Sequence, residues 1–172
     1  MKTFIESQFS YCPLVWMFCS RSMNNKINHI HERALRLVYQ DYTTTFENLL
    51  KKDGSLTFHH RNIHQVAIEM FKVKHDFSPS FMQDIFTLNK NSKGTRSGDT
   101  FARPNVDSVK KGDRSLRSFG PIVWNDMVPE KLKLCKSLDE FKCSIKTWKP
   151  DNCVCELCKT YVQGLGYASL FD

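Results

Sequence analysis

The sequence predicts a mainly α-helical protein: a small helical domain with a long basic loop, a possible short β-hairpin and a Cys-rich C-terminal tail. Three observations lead to this prediction. Apolar residues recur every three or four positions in two long segments of the first half, the spacing of helices with one buried face. Polar and basic residues replace that pattern from residue 87 to 113. Three closely spaced cysteines follow the last predicted helix.

Two helices and a break are predicted at the start of the chain. Residues 2–18 have apolar side chains near helical spacing, but Pro13 removes a backbone donor, so we expect an interruption there. The next helix is amphipathic, with Arg33 and Arg36 turned away from its apolar residues. Those apolar residues are Ile27, Ile30, Ala34, Leu37 and Val38.

Two further helices complete the first half. Thr44 and Glu47 have the spacing of a capping box, and Asp53-Gly54 is expected to end that short helix. A longer amphipathic helix follows and closes before Ser78-Pro79. Its predicted buried residues are Ile63, Val66, Ala67, Met70 and Val73.

The second half is predicted to contain a loop, an aromatic anchor and one more helix. A hairpin is possible around Lys111-Gly112-Asp113. The last helix begins at a capping box formed by Ser137 and Glu140 and ends near Pro150. The predicted organisation is therefore a helical region at 1–86, a polar basic loop at 87–113, the anchor and C-terminal helix at 114–149, and the Cys-rich tail at 150–172.

The anchor is the segment from Ser115 to Pro129. Phe119 and Trp124 are large apolar side chains that favour burial, and Gly120-Pro121 predicts a turn between them. The segment contains no evident nucleophile or proton shuttle, so packing is its first expected role.

Composition restricts the cellular setting. The 172 residues are 41% hydrophobic and include 13 Phe and 3 Trp, enough for one core or two small ones. No segment approaches the roughly 18 apolar residues that cross a bilayer, and the N-terminal residues lack a signal-peptide pattern. Seven cysteines, an odd number, favour reduced thiols or a metal over a disulfide framework. We expect an intracellular protein, in the cytoplasm or nucleus, with no membrane partner.

An ordered set of motifs resembles a known family. The segments are Ser7 to Trp16, Ile27 to Tyr39, Phe46 to Leu50, His60 to Lys72, Thr95 to Ser97, the pattern S-x-R-x-F-G-P-x-x-W-N-x-x-V-P from Ser115 to Pro129, and Ser137 to Lys142. Their order and spacing resemble the region after the polymerase domain in jockey-type non-LTR retrotransposon reverse transcriptases. The resemblance extends from about Phe4 to Trp148, and it implies that residues 1–86 correspond to the end of the thumb and the start of the C-terminal domain.

The resemblance also indicates what this chain lacks. Polymerases of this family hold two metal ions with a paired-aspartate motif, and no Asp-Asp pair occurs in the sequence. The resemblance therefore implies a fragment of an RNA-directed DNA polymerase without its palm, and we do not expect this chain to polymerise DNA alone. Its missing reverse transcriptase domain would be one partner.

Net charge suggests a second partner, RNA or DNA. The formal charge is +7 and is uneven, because residues 1–86 carry 10 basic and 8 acidic side chains whereas residues 87–172 carry 15 and 10. Such a balance favours contacts with phosphates, although the same side chains could be ordinary solvated faces. The candidate contacts are Arg33, Arg36, Lys110, Lys111, Arg114, Arg117, Lys142, Lys146 and Lys149.

The cysteine cluster suggests zinc as the one candidate cofactor. Cys153, Cys155 and Cys158 are close enough to share an ion, but three ligands do not close a structural site. The fourth could be Cys135, Cys143, a distant His or a thiol of another chain. Reduced thiols without metal are the alternative, and a zinc-linked dimer acting as a small protein-interaction module is the alternative function.

A catalytic metal site is less consistent with the sequence. His60 and His64 are four residues apart, but Arg61 stands where a zinc protease has its Glu.

Overall fold

A computed structural model describes residues 7–9, 11–89, 100–105 and 115–150. The fold is mainly helical, as predicted, with one small antiparallel sheet. The described residues divide into two compact units, with the boundary between Asn62 and Ile63. The elements are α1 (Ser7–Phe9), α2 (Pro13–Trp16), α3 (Arg21–Tyr39), α4 (Phe46–Asp53), α5 (Phe58–Lys74), α6 (Ser80–Ile85), β1 (Leu88–Asn89), β2 (Thr100–Phe101), α7 (Leu116–Ile122), a π-helix (Val123–Met127), α8 (Glu130–Lys133) and α9 (Leu138–Ile145).

The first unit begins with the predicted interrupted helix. Pro13 is the first residue of α2, a position where its missing N–H is tolerated. Phe9 is half-buried and its ring lies 4.5 Å from that of Phe58, while Trp16 is also half-buried. In the sequence, Phe4, Phe9 and Trp16 suggest an apolar surface left exposed by the missing polymerase domain. Phe9 and Trp16 are instead partly covered, and Phe4 lies outside the described residues.

A small apolar core joins α3 to α4. Leu35, Phe46, Leu49 and Leu50 are buried together, and Tyr39 packs against them. The Tyr39 hydroxyl donates to Asp53 Oδ1 at 2.9 Å, and this hydrogen bond raises the pKa of Tyr39. Gly54 ends α4 with a φ of 66°, the left-handed conformation that suits glycine, as predicted.

The start of α4 differs from the predicted capping box. Thr45, and not Thr44, is the N-cap residue, and its side chain makes no capping hydrogen bond. The carboxylate of Asp41 instead accepts from the backbone N–H groups of Thr43 and Thr44, at 3.3 and 3.0 Å. The hydrogen bond from the Thr44 side chain, together with these backbone N–H groups, lowers the pKa of Asp41. These interactions organise the turn before the helix.

The buried face of α3 differs from the prediction. Ile27 and Ala34 are buried as expected, but Ile30, Leu37 and Val38 are 49%, 68% and 53% exposed. Four polar residues of the same helix are buried: Asn24, Asn28, His31 and Glu32. Aromatic neighbours account for part of this arrangement, because the His31 ring lies 4.6 Å from Phe58 and 5.6 Å from Phe46.

The second unit is built around the later part of α5. The residues predicted to be buried there, Ile63, Val66, Ala67, Met70 and Val73, are all buried. Phe71 is also buried, and its ring stacks at 4.4 Å on that of Phe141 from α9.

The sheet is shorter than a typical hairpin and uses unexpected residues. Leu88 pairs with Phe101 and Asn89 pairs with Thr100 in an antiparallel ladder. Both strands lie within the segment 87–113 that was predicted to be a loop. The hairpin proposed around Lys111 to Asp113 lies outside the described residues.

The segment predicted to turn at Gly120-Pro121 is helical. α7 continues through both residues, and the π-helix follows directly. Pro121 has no N–H to bond the carbonyl of the preceding helical turn. The π-helix, which has a wider turn than an α-helix, begins two residues later. Phe119 is half-buried, whereas Trp124 is fully buried.

The last helix begins as predicted and ends earlier. Ser137 Oγ accepts from the Glu140 N–H at 3.2 Å, and Glu140 accepts from the Lys136 N–H at 3.0 Å. α9 ends at Ile145, five residues before Pro150, and single turns continue the chain. Across the described ranges, no helix combines the length and apolar character needed to span a membrane.

Candidate nucleic-acid interface

Trp124 is the centre of the second unit and positions the elements around it. Its side chain has no exposed surface, and its ring lies about 6 Å from three other aromatic rings. The distances are 6.4 Å to Phe71, 6.0 Å to Phe101 and 6.2 Å to Phe141. The contacted residues belong to α5, β2 and α9, so one side chain packs against three separate elements.

Asn125 fixes strand β2 through two hydrogen bonds. Its Oδ1 accepts from the Phe101 N–H at 3.0 Å, and its Nδ2 donates to the Phe101 carbonyl oxygen at 2.9 Å. The side-chain amide therefore satisfies both backbone polar groups of a buried residue. Next to this contact, Arg103 forms an exposed ion pair with Asp126.

Gly120 permits a close approach between elements. A Cβ atom at this position would lie 2.7 Å from Met70 Sδ and 3.1 Å from Phe86 Cε1. Both neighbours are buried. Packing therefore explains the Gly, Trp and Asn residues of the anchor segment, and sequence reasoning had not assigned a role to Asn125.

Three of the predicted basic contacts lie at the end of this unit. Lys142, Lys146 and Lys149 are all exposed. Lys142 lies in α9, and Lys146 follows four residues later at its C-cap, so the two share one side of the helix. Lys149 lies in the segment just beyond. None of the three forms an ion pair with another described residue.

A histidine holds the segment that carries these lysines. His64 Nε2–H donates to the Trp148 carbonyl oxygen at 2.8 Å, and the two rings stack with centroids 5.4 Å apart. Burial lowers the pKa of His64, and the hydrogen bond to Trp148 opposes that effect only in part. The imidazole is therefore neutral at pH 7. It holds the backbone next to Lys149 in place but adds no positive charge to the three lysines.

The other candidate contacts have different surroundings. Arg117 on α7 is exposed, as is Arg33 on α3 of the first unit. Arg36 is part-buried and donates to Glu32 Oε1 from Nη2 at 2.6 Å and from Nε at 3.1 Å, so its charge is already compensated within α3. Lys110, Lys111 and Arg114 lie outside the described residues.

Sequence reasoning overlooked two exposed lysines of the second unit, Lys131 and Lys136. Lys133, by contrast, is largely buried: its Nζ lies 2.7 Å from Glu130 Oε1 and donates to the Asn125 carbonyl oxygen. Lys131 of α8 is therefore accessible to a phosphate, whereas Lys133 is not, and composition alone does not reveal this difference.

The proposed zinc ligands Cys153, Cys155 and Cys158 lie outside the described residues. Of the suggested fourth ligands, Cys135 is buried and Cys143 is exposed. Within the described part of the chain, no three His, Cys, Asp or Glu side chains come together in a group able to hold a metal ion. The zinc site stays a prediction.

Comparisons with protein-family models, curated proteins and solved structures found no match to this chain.

Proposed function

We propose that this chain is the C-terminal, post-polymerase part of a non-LTR retrotransposon reverse transcriptase, with a non-catalytic role in binding or positioning nucleic acid. The ordered motifs support the family assignment, and the absence of an Asp-Asp pair from the sequence supports a role outside nucleotidyl transfer. In the parent protein, the module would hold template RNA or target DNA near the polymerase active site.

The observation that carries the binding role is the set of exposed lysines at the end of the second unit. Lys142, Lys146 and Lys149 are exposed and lie within eight consecutive residues. An exposed cation without an ion-pair partner can approach a phosphate without first breaking an existing interaction. The His64 contact at Trp148 holds the backbone between the last two of these lysines, which reduces the loss of conformational freedom on binding.

The contact is to phosphate rather than to bases. Two aromatic residues adjoin these lysines in sequence: Phe141 is fully buried, and one face of the Trp148 ring is already stacked on His64. Stacking of unpaired bases needs free aromatic faces, and phosphate contacts position nucleic acid without reading its sequence. We therefore expect weak sequence preference and strong dependence on salt.

The test is binding of fluorescently labelled RNA and DNA to the purified full-length chain over a salt series. The interface variant carries Lys142→Gln, Lys146→Gln and Lys149→Gln. If all three lysines contact phosphates, the slope of log affinity against log salt should fall by roughly 2 to 3. Affinity at low salt should fall with it.

A charge-matched control separates a local interface from the overall charge. It carries Lys51→Gln, Lys52→Gln and Lys72→Gln, which removes the same charge from lysines near carboxylates at 3.2, 3.9 and 2.8 Å. The control should retain most of the salt dependence. Equal losses in the two variants would show nonspecific attraction, and no binding of the native chain at low salt would overturn the proposal.

A further inference from the structure

Helix α3 exposes a straight row of apolar side chains. Met23, Ile30 and Leu37 are 49%, 49% and 68% exposed. They are seven residues apart, so they lie along one side of the helix over about 21 Å. We call these three residues the α3 stripe. Its neighbours on one side, Ile27 and Ala34, are buried.

The arrangement of α3 departs in part from that of an ordinary surface helix, although Ile27, Ala34 and Leu35 are buried. Such a helix buries its apolar residues and exposes its polar ones. Here Asn24, Asn28 and Glu32 are 5–8% exposed while the α3 stripe faces outward. A row of exposed apolar side chains along one side of a helix is a candidate interaction site.

Charge along the exposed border indicates the chemistry of the partner. Lys26 and Arg33 are exposed and occupy the helix positions on the other side of the α3 stripe. Glu32 is the sole acidic residue of α3, and it is buried and bonded to Arg36. The stripe therefore has a positive border with no carboxylate of its own helix to neutralise it.

Geometry and charge together favour an acidic helix over two other occupants. A second copy of α3 would place Lys26 and Arg33 against the same cations, and like charges across a helix pair are unfavourable. Membrane-surface helices bury a broad apolar face rich in aromatic residues, whereas this row is narrow and contains none. A seven-residue repeat is the spacing with which one helix packs along another.

We propose that the α3 stripe is a docking surface for an amphipathic helix of another protein whose apolar residues are flanked by Asp or Glu. The apolar row supplies the packing, and the Lys26 and Arg33 border selects the acidic partner and its orientation. This surface belongs to the first unit, and it does not depend on the proposed nucleic-acid role.

The test uses two synthetic helical peptides of about 21 residues, matched to the length of the stripe. Both carry Leu at the packing positions, and they differ in having Glu or Lys at the flanking positions. Binding to the full-length chain is measured by fluorescence anisotropy. The Glu peptide should bind about tenfold or more tightly than the Lys peptide, and equal affinity, or no binding of the Glu peptide, would overturn the proposal.

Three variants localise the interaction. Leu37→Asp should weaken binding of the Glu peptide about tenfold or more. Val15→Asp, which changes an apolar residue that is 77% exposed outside the stripe, should leave affinity within about twofold. Replacing Lys26 and Arg33 with Glu should reverse the preference between the two peptides. A Leu37→Asp variant that binds like the native chain would refute the assignment of this surface.

Two further measurements test the other occupants. Sedimentation equilibrium that shows a dimer abolished by Leu37→Asp would identify a second copy as the occupant and overturn the proposal. The native chain could instead float with vesicles of phosphatidylserine and phosphatidylcholine and fail to bind the Glu peptide. If Leu37→Asp abolished that flotation, a membrane surface would be the occupant and the proposal would be overturned. Monomers that bind the Glu peptide and not the vesicles support it.

Discussion

Replacing Asn125 with Asp should destabilise the second unit in a pH-dependent way. The native side chain accepts from the Phe101 N–H at 3.0 Å and donates to the Phe101 carbonyl oxygen at 2.9 Å. Aspartate has nearly the same shape, and one carboxylate oxygen can still accept from the N–H. The other oxygen replaces the donor and faces the carbonyl oxygen, so one hydrogen bond becomes a repulsive contact.

The expected size follows from the two hydrogen bonds. Each contributes about 0.5–1.5 kcal/mol, so Asn125→Ala should lower the free energy of unfolding by about 1–3 kcal/mol. Asn125→Asp should cost a similar amount at pH 7. The repulsion raises the pKa of the new carboxyl in the folded state above its unfolded value of about 3.9, so its destabilisation relative to Asn should shrink as pH falls through that raised pKa.

The assay is urea unfolding followed by tryptophan fluorescence, with each variant compared with the native chain at pH 7 and pH 4. Hydrogen exchange at the Phe101 amide gives a local readout, and it should accelerate in Asn125→Ala. Asp126→Asn is the control, because it removes an ion pair whose side chains are 49% and 56% exposed and should cost no more than about 1 kcal/mol. A cost of Asn125→Asp that does not change with pH, or an Asn125→Ala variant as stable as the native chain, would refute the reasoning.

Two further predictions concern burial in the same unit. Because burial lowers the pKa of His64, the unfolded state binds more protons below about pH 6.5, and the free energy of unfolding should fall on acidification through that range. Between pH 7.5 and 5.5, the urea midpoint should fall less for His64→Gln than for the native chain. An unchanged fall in His64→Gln would contradict the assignment. His75→Gln is the comparison variant, because burial also lowers the pKa of His75. Gly120→Ala should be neutral or destabilising by up to about 2 kcal/mol, because overpacking against Met70 and Phe86 costs about 1–3 kcal/mol while the gain in helix propensity is about 1 kcal/mol. Thermal denaturation that shows clear stabilisation by this change would contradict the close approach.

The sequence pattern predicted where the helices lie better than it predicted which face of each helix is buried. The apolar spacing of α3 and α5 indicated both helices, and for α5 it also indicated the buried residues. For α3 the same pattern predicted burial of Ile30 and Leu37, which are exposed, and it gave no indication that Asn28 is buried. Periodicity identifies the side chains that share a face, but the face that packs depends on neighbours distant in sequence.

The anchor segment shows a second limit of local sequence rules. Gly120 and Pro121 are turn residues by propensity, yet both are helical, and the absence of a Cβ at Gly120 allows close contact with Met70 and Phe86. The role of Asn125 depends on Phe101, a residue 24 positions away, and no short motif indicates that contact. The basic candidates were identifiable by residue type, but the compensation of Arg36 by Glu32 appears only in the structure.

The π-helix makes the length of the anchor segment important. Its closing hydrogen bond runs from the Val128 N–H to the Val123 carbonyl oxygen at 2.9 Å, spanning five residues where an α-helix spans four. Removing one residue between them would allow an ordinary α-helical turn, but every later side chain would rotate by about 100° relative to those before it. Trp124 and Asn125 could then no longer face their present partners while Val128 continued into α8. Single-residue insertions and deletions should therefore be tolerated less well in this segment than substitutions, and related chains are expected to vary in residue type there before they vary in length.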